Sequence, residues 1–397
     1  MLGGYILLTS EAAVVLTIVL FPLCFSIISY LLSSKKPKSL SSYLIFCLAA
    51  LVPLLLVLGV LIGAWRTPPL IELPSDKTFP LRFSFYADTL GLYFALVISL
   101  LSFLSSIYSI SYMADKPSIP SYQLNFLLFV GGMLGVVLSG NLFTFYVFWE
   151  LMLVPSYLLI YYWGTPEKSW IASIKYFIFT HIGALFMLIG LSTIYLETGV
   201  SSFTELSVVH ISKPVLIVTL LFIGIGVKMA IFPLHNWLPD AHAEAPTPIS
   251  VLLSGVMIKT GAYAILRFLI TMFPQEFRDI SYYLAILAVI TGVYGGLMAL
   301  AQIDIKRMLA YSSVSQMGYL LLGFAAYNFI GIAGALYLVI HHAVCKGLLF
   351  MCAGAIEHET KTRDMSKLGG LAPKMPLTAL AFTVAGLSIA GTPPLSG

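Results

Sequence analysis

Charge is what this chain has least of. Its 397 residues include 21 Lys and Arg and 17 Asp and Glu, so 10% are charged, where a soluble domain carries about 25%. So few charges exclude a water-soluble globular protein. Cysteine is scarce as well: Cys24, Cys47, Cys345 and Cys352 all lie in apolar stretches. They have no metal-ligand spacing, so neither a disulfide framework nor a zinc or iron-sulfur site is expected. The formal net charge of +4 is small and dispersed, and nucleic acid is not an expected partner. No positively charged leader precedes the first apolar run, which is read as a retained helix and not a cleaved signal.

Hydrophobic residues make up 59% of the chain and its mean hydropathy is +0.97. At about 20 apolar residues per crossing, the length allows on the order of a dozen crossings. Apolar runs bounded by Gly, Pro and charge clusters fall at 11–32, 43–64, 88–110, 120–140, 141–163, 171–197, 214–236, 247–270, 281–301, 307–326 and 329–355, and a twelfth begins near Pro376. The pattern predicts an all-α polytopic protein embedded in a lipid bilayer, with no linker long enough for a separate domain. Spans four and five are joined only by Ser139-Gly140-Asn141, which makes them antiparallel neighbours. The connection 66–87, with Pro68, Pro69, Pro74 and Pro80, reads as an irregular extracellular loop or hairpin. The charged segment 356–375 reads as a loop or interfacial helix.

The basic residues encode topology. Odd-numbered connections hold Lys35, Lys36, Lys38, Lys116, Lys168, Lys175, Lys306, Arg307, Lys361, Arg363, Lys367 and Lys374, whereas even ones hold Arg66, Lys77, Arg82, Lys213, Arg267 and Arg278. The excess puts the odd loops in the cytoplasm and the N-terminus outside. Three basic residues, Lys228, Lys259 and Lys346, are left inside predicted spans.

A charge near the bilayer centre costs at least about 2.5–3.5 kcal/mol, so it points to function. Glu150 sits in Phe-Trp-Glu-Leu-Met-Leu-Val-Pro, Lys228 in Ile-Gly-Val-Lys-Met-Ala-Ile-Phe-Pro and Lys259 in Val-Met-Ile-Lys-Thr-Gly. His341, His342 and Lys346 share one apolar run, with His342 and Lys346 four residues apart on one helix face. Snorkelling or static ion pairs are the alternative. A static arrangement, however, needs about one carboxylate per lysine, and Glu150 faces three. A lysine whose carboxylate partner moves away in an apolar setting releases a proton and regains it when the partner returns. Histidine, titrating near neutrality, suits the intervening relay.

The backbone adds a second signal. Pro233 and Pro239 interrupt the span that carries Lys228, and Gly391-Thr392-Pro393-Pro394-Leu395-Ser396-Gly397 breaks the twelfth. Two interrupted helices five spans apart point to inverted repeats with sites at the midplane. Simple proline kinks are the alternative.

At these residues the chain resembles the antiporter-like subunits of respiratory complex I, of the NADH–quinone oxidoreductase chain M type. That family is shared with Mrp-type sodium/proton antiporters and membrane-bound hydrogenases. The resemblance rests on KMAIFPLHNWLPDAHAEAPTPISVLLSGVMIK at 228–259, supported by FWELMLVPSYLL at 148–159, IKYFIFTHIGALFMLIG at 174–190, DIKRMLAYSSVSQMGY at 304–319, HAVCKGLLF at 342–350 and TRDMSKLGGL at 362–371. It runs from about residue 80 to the last residue.

The resemblance implies a fourteen-helix subunit in which helices four to eight and nine to thirteen are inverted repeats. Residues 1–118 would then hold helices one to three, 119–272 the first repeat and 273–397 a partial second repeat. The family continues past Gly-x-Pro-Pro-x-Ser-Gly to a Lys or Glu of helix twelve and two further helices, so a piece of a longer protein is expected. By motif, Glu150 is the helix-five glutamate, Lys228 the pumping lysine of broken helix seven, Lys259 the connecting lysine, and His342 with Lys346 the helix-eleven relay. His341, Gln316, His235 and His181 are further relay positions, Gln316 standing where some members have histidine and His181 equally suited to packing. Pro233, Pro393 and Pro394 mark the helix breaks. The implied function is a proton-translocating membrane subunit that works with other membrane subunits of a multi-subunit oxidoreductase, with no metal or redox cofactor on this chain. A prokaryotic inner membrane, or its organellar equivalent, is the implied location. The alternatives are an Mrp-type cation/proton antiporter subunit, with Asp240 and Glu244 as candidates for sodium, a membrane subunit of an energy-converting hydrogenase, and a purely structural lateral subunit.

Overall fold

A computed structural model of the chain describes residues 10–35, 38–64, 70–73, 82–206 and 211–396. Lys36, Arg66, Pro68, Pro69, Pro74, Lys77, Pro80 and Gly397 lie outside the described residues. Twelve helical rods follow in order: α1 (Ser10–Lys35), α2 (Leu40–Leu61), α3 (Thr89–Tyr112), α4 (Ile119–Val137), α5 (Leu142–Trp163), α6 (Ser169–Thr198), α7 (Pro214–Lys228), α8 (Thr247–Ile270), α9 (Pro274–Leu300), α10 (Ile305–Ala325), α11 (Phe329–Thr360) and α12 (Pro376–Ile389). Among the described residues, nine helices are long and apolar enough to cross a membrane, and α7 and α12 are shorter apolar helices. The expected all-α polytopic architecture is present. Within the 66–87 connection the described residues form a two-residue antiparallel ladder, β1 (Ile71–Glu72) with β2 (Ser84–Phe85).

Proline decides where the rods break. Pro155 has no N–H to offer the carbonyl of Leu151, and α5 is interrupted at Met152, two residues after Glu150. Pro233 withdraws the same bond from Met229, so α7 stops at Lys228, short of the expected end at 236. Ala230 there takes a left-handed φ of 55°, Ile231 N donates to Gly226 O at 3.0 Å, and a short helix, Leu238–Glu244, leads into α8. After α12 the chain turns at Gly391, φ 76°, into Pro393 and Pro394, neither of which can donate.

The helix α8 is the hub, with an 18-residue window entirely buried. Close approach of α9 and α10 depends on glycine: a methyl group added at Gly318 would lie 2.5 Å from Gly292 N. Opposite ends of the bundle are tied differently. At one end Thr165 N donates to Glu244 O at 2.9 Å, Ile305 N to Arg363 O at 3.0 Å and Trp163 Nε1 to Pro117 O at 2.8 Å. At the other, Asn141 Nδ2 donates to Arg82 O at 2.6 Å, and Asn141 Oδ1 caps α5 by accepting from Thr144 N at 2.7 Å. The tight turn after α4 thus returns α5 antiparallel beside it, as its length requires.

Candidate functional site

Lys228 is the last residue of α7, where the unpaired carbonyls of a helix terminus favour a cation. One of those carbonyls, Val227 O, is taken by Trp237 Nε1 at 2.8 Å. The ammonium lies 5.2 Å from the centre of the Trp149 ring, a cation–π arrangement. Its neighbour in sequence, Glu150, turns to α6: Glu150 Oε2 is 3.1 Å from His181 Nδ1, while Glu150 Oε1 is buried without a hydrogen-bond partner. Among the described residues Lys228 forms no ion pair, although the Glu150 charge acts on it. Phe177 stacks on His181 with ring centres 5.5 Å apart.

Lys259 stands between two segments of widened helix, Leu253–Met257 and Ile265–Ile270. Such π-turns leave local carbonyls available and recur at functional sites. The Lys259 ammonium donates to Ser254 O and lies 2.5 Å from His342 Nδ1 on α11. Ser254 Oγ also meets Ser313 Oγ of α10 at 2.7 Å. One turn further along α11, Lys346 donates to Leu309 O at 3.1 Å and is fully buried. Helices α8, α10 and α11 therefore bring Lys259, His342 and Lys346 together, with no carboxylate hydrogen-bonded to any of them among the described residues.

The second break forms its own group. His341 Nδ1 is 3.0 Å from Ser396 Oγ, which is 2.9 Å from Ser388 Oγ. A cleft of about 540 Å³ here is lined by Ser315, Gln316, Tyr337, His341, Gly391 and Ser396, so Gln316 and His341 face the same space next to Pro393 and Pro394. His235 lies just beyond Pro233, buried, with both ring nitrogens unpaired and its ring 4.8 Å from that of Tyr294.

Several charged residues that read as loop residues are also buried. Lys306 is 2% exposed and donates to Ala245 O at 2.6 Å; the signal was Asp304, which caps α10 by accepting from Lys306 N at 2.9 Å and so starts the helix there. Asp240 holds Lys175 at 2.7 Å and Arg307 at 3.1 Å. Arg363 lies 3.1 Å from Asp304, 3.8 Å from Glu357 and 3.8 Å from Glu244. With Asp240 and Glu244 already facing guanidinium and ammonium groups, that pair is not an open cation site. On the adjoining loop, the hydroxyl and amide of Ser366 hold Asp364 below the usual carboxylate range. At the opposite end of the bundle Arg267 Nη2 meets Asp88 Oδ1 at 2.7 Å inside a cage of Tyr86, Phe203 and Tyr263.

Comparison with known proteins bears on the fold and the family. The family described as NADH:quinone oxidoreductase/Mrp antiporter, TM, matches residues 139–397, and the one described as NADH-Ubiquinone oxidoreductase (complex I), chain 5 N-terminus, matches residues 74–123. The NADH-quinone oxidoreductase subunit M of Rickettsia prowazekii (strain Madrid E) is 36% identical over 323 residues, which is 80% of this chain and 65% of that protein. The chain thus spans just under two thirds of that relative's length. Among solved structures, a chain of the archaeal membrane-bound sulfane sulfur reductase, a respiratory membrane complex, superposes with a TM-score of 0.85 at 28% identity, covering 96% of this chain and 78% of its own. A chain of the Mrp complex from a Dietzia species gives a TM-score of 0.85 at 27% identity, covering 98% and 72%.

Proposed function

Because the chain belongs to the NADH:quinone oxidoreductase/Mrp antiporter family of membrane subunits, we propose that it carries protons across the membrane within a complex I-type oxidoreductase. The observation that carries this reading is Lys259 at 2.5 Å from His342 inside a helix whose window is wholly buried. In that setting a pair of nitrogen bases shares a proton more readily than it holds two charges. Lys228 with Glu150 forms the first station, Lys259 with His342 and Lys346 the second, and the cleft of Gln316 and His341 the third. The two helix breaks and the residue ranges 119–272 and 273–397 correspond to the two inverted repeats.

The chain's own residues do this work without a redox cofactor, and electron transfer in partner membrane subunits supplies the drive. Moving one charge against 100 mV costs about 2.3 kcal/mol, and each unit of pKa change supplies about 1.36 kcal/mol, so two modest changes of partner suffice. The end that carries Arg363 and Asp304 faces the cytoplasm in this reading, which leaves the N-terminus outside. In the complete complex reconstituted in liposomes, Lys228→Ala and Glu150→Ala should each abolish this subunit's proton translocation with subunit content unchanged. Translocation at the normal rate in both variants would refute the reading. The likeness to the Mrp complex favours a second reading, cation/proton exchange, which requires translocation to depend on sodium.

A further inference from the structure

Three buried polar side chains follow one another along α8 toward the end of the bundle that holds Asn141: Lys259, Tyr263 and Arg267. Lys259 and Tyr263 are four residues apart and share one face. Arg267, within the widened segment Ile265–Ile270, joins them through Nε, which donates to the Tyr263 hydroxyl at 3.0 Å. From Lys259 to Arg267 the helix rises about 12 Å at 1.5 Å per residue. Asp88, just before α3, accepts from Arg267 Nη2 at 2.7 Å, and its side chain is 25% exposed. The line therefore runs from the Lys259 station to the surface that the proton-translocating reading places outside.

This end of the bundle is polar enough to hold water. Ser139, in the turn between α4 and α5, acts on the same Tyr263 hydroxyl, and its own Oγ donates to Val136 O at 2.7 Å. Phe85 bridges to Ser139 through the backbone, and the hydroxyl of Ser84 beside it is buried without a hydrogen-bond partner among the described residues. Buried hydroxyls of this kind take water as their partner. Water and hydroxyls in file pass protons, and outward pumping makes the outer side the positive one. A file left open here would return protons to Lys259.

Arg267 stands across that file. A guanidinium keeps its proton in a protein, so it relays nothing, and its fixed charge repels an approaching proton or cation. The rings of Tyr86, Phe203 and Tyr263 lie 5.4, 5.7 and 5.2 Å from its central carbon, and Asp88 fixes one edge, so the charge is held in place. A buried ion pair adds little stability over apolar side chains of the same volume, and stability alone does not account for a guanidinium here. We propose that Arg267 is an electrostatic barrier that closes the Lys259 station toward the outer side, so that a proton held there leaves only toward His342. The inference rests on the proton-translocating reading above, and it gives Arg267 a role in preventing back-leak and none in carrying protons.

The test uses the intact complex in liposomes without electron donor, under a potassium diffusion potential set with valinomycin, and reads passive proton entry with a pH dye in the lumen. Arg267→Gln should raise that entry about tenfold over the unaltered complex, which corresponds to about 1.4 kcal/mol in the barrier. Arg267→Lys, which keeps the charge, should leave it near the unaltered level. Adding Lys259→Ala to Arg267→Gln should abolish the leak, a result that general loosening of the bundle does not give. If Arg267→Gln fails to assemble, the neutral and closely matched double variant Arg267→Gln with Asp88→Asn decides in its place. Unchanged entry in the assembled glutamine variant, an equal leak in Arg267→Lys, or a leak that survives Lys259→Ala overturns the barrier alone. Donor-driven translocation in Lys228→Ala, measured on the same preparations, judges the parent reading: if it is unimpaired, that reading falls and the barrier with it.

Discussion

Glu150 directs its Oε2 to His181 Nδ1 at 3.1 Å, although Lys228, the cation it is expected to serve, lies against the Trp149 ring one residue away. Glu150 is thus held by His181 and not by Lys228, and a carboxylate offered two basic groups can leave one without being left unpaired.

The first prediction follows from that arrangement. With His181→Phe, Glu150 loses the partner that holds it and is left to Lys228, so proton release from Lys228 slows. A tenfold slowing corresponds to about 1.4 kcal/mol, well within the attraction of two charges near 4 Å at intermediate dielectric. The expected result is a severalfold to tenfold fall in translocation rate with quinone reduction and assembly retained, measured in reconstituted complex. A rate equal to that of the unaltered protein would assign His181 to packing alone.

A second prediction concerns Arg267 and Asp88. The Arg267 side chain is 7% exposed, and Asp88 Oδ1 also caps α3 by accepting from Gly91 N at 2.9 Å. Removing one partner of a buried pair costs about 3–5 kcal/mol, whereas the exposed Arg82 and Glu72 pair, 3.6 Å apart, is worth about 0–1 kcal/mol. Asp88→Ala should therefore lower the unfolding midpoint of the solubilised protein markedly, and Glu72→Ala scarcely at all. Asp88→Asn, which keeps a capping oxygen, should fall between them.

Much of this architecture was legible in the sequence because a bilayer imposes a coarse, strong code. The twelve apolar runs, the tight turn at Gly140 and the break at Pro233 all follow from hydropathy and from proline's missing N–H. Lys228, Lys259 and Lys346 stood out because lysine in an apolar run has no bland surroundings. Lys306 and Arg267 did not, since a basic residue beside a turn looks like a topology signal whichever way its side chain points. Inward or outward orientation is set by helix phase: Lys306 enters the interior while Arg307, the next residue, reaches Asp240 at 3.1 Å. Nor does linear sequence reveal that Glu150 is paired with a histidine from the following helix, because that depends on the packing of α5 on α6.

Helix contact at glycine gives a third prediction. A methyl group at Gly318 would meet Gly292 N at 2.5 Å and Ala288 O at 2.7 Å, both backbone atoms that cannot swing aside. Gly334 on α11 has nothing within 4 Å of that position. Overpacking costs about 1–3 kcal/mol, whereas alanine in an open helical position gains about 1 kcal/mol over glycine. Gly318→Ala should reduce the yield of folded protein and its thermal midpoint, and Gly334→Ala should leave both unchanged or raise them.

Lys306 separates a buried lysine that holds structure from those proposed to carry protons. Its ammonium is committed to one backbone acceptor, Ala245 O at 2.6 Å, at the point where the short helix Leu238–Glu244 hands over to α8. Lys259 instead lies within 2.5 Å of a titratable ring. If the distinction holds, Lys306→Ala leaves a buried carbonyl without its donor, at a cost of about 1–3 kcal/mol, and the amount of assembled complex falls. The complex that does assemble should translocate the same number of protons per electron as the unaltered protein. Lys259→Ala should do the reverse, preserving assembly and lowering that ratio. Measuring subunit content and proton-to-electron ratio on the same preparations separates the two, and a lowered ratio in Lys306→Ala would place that lysine among the carriers.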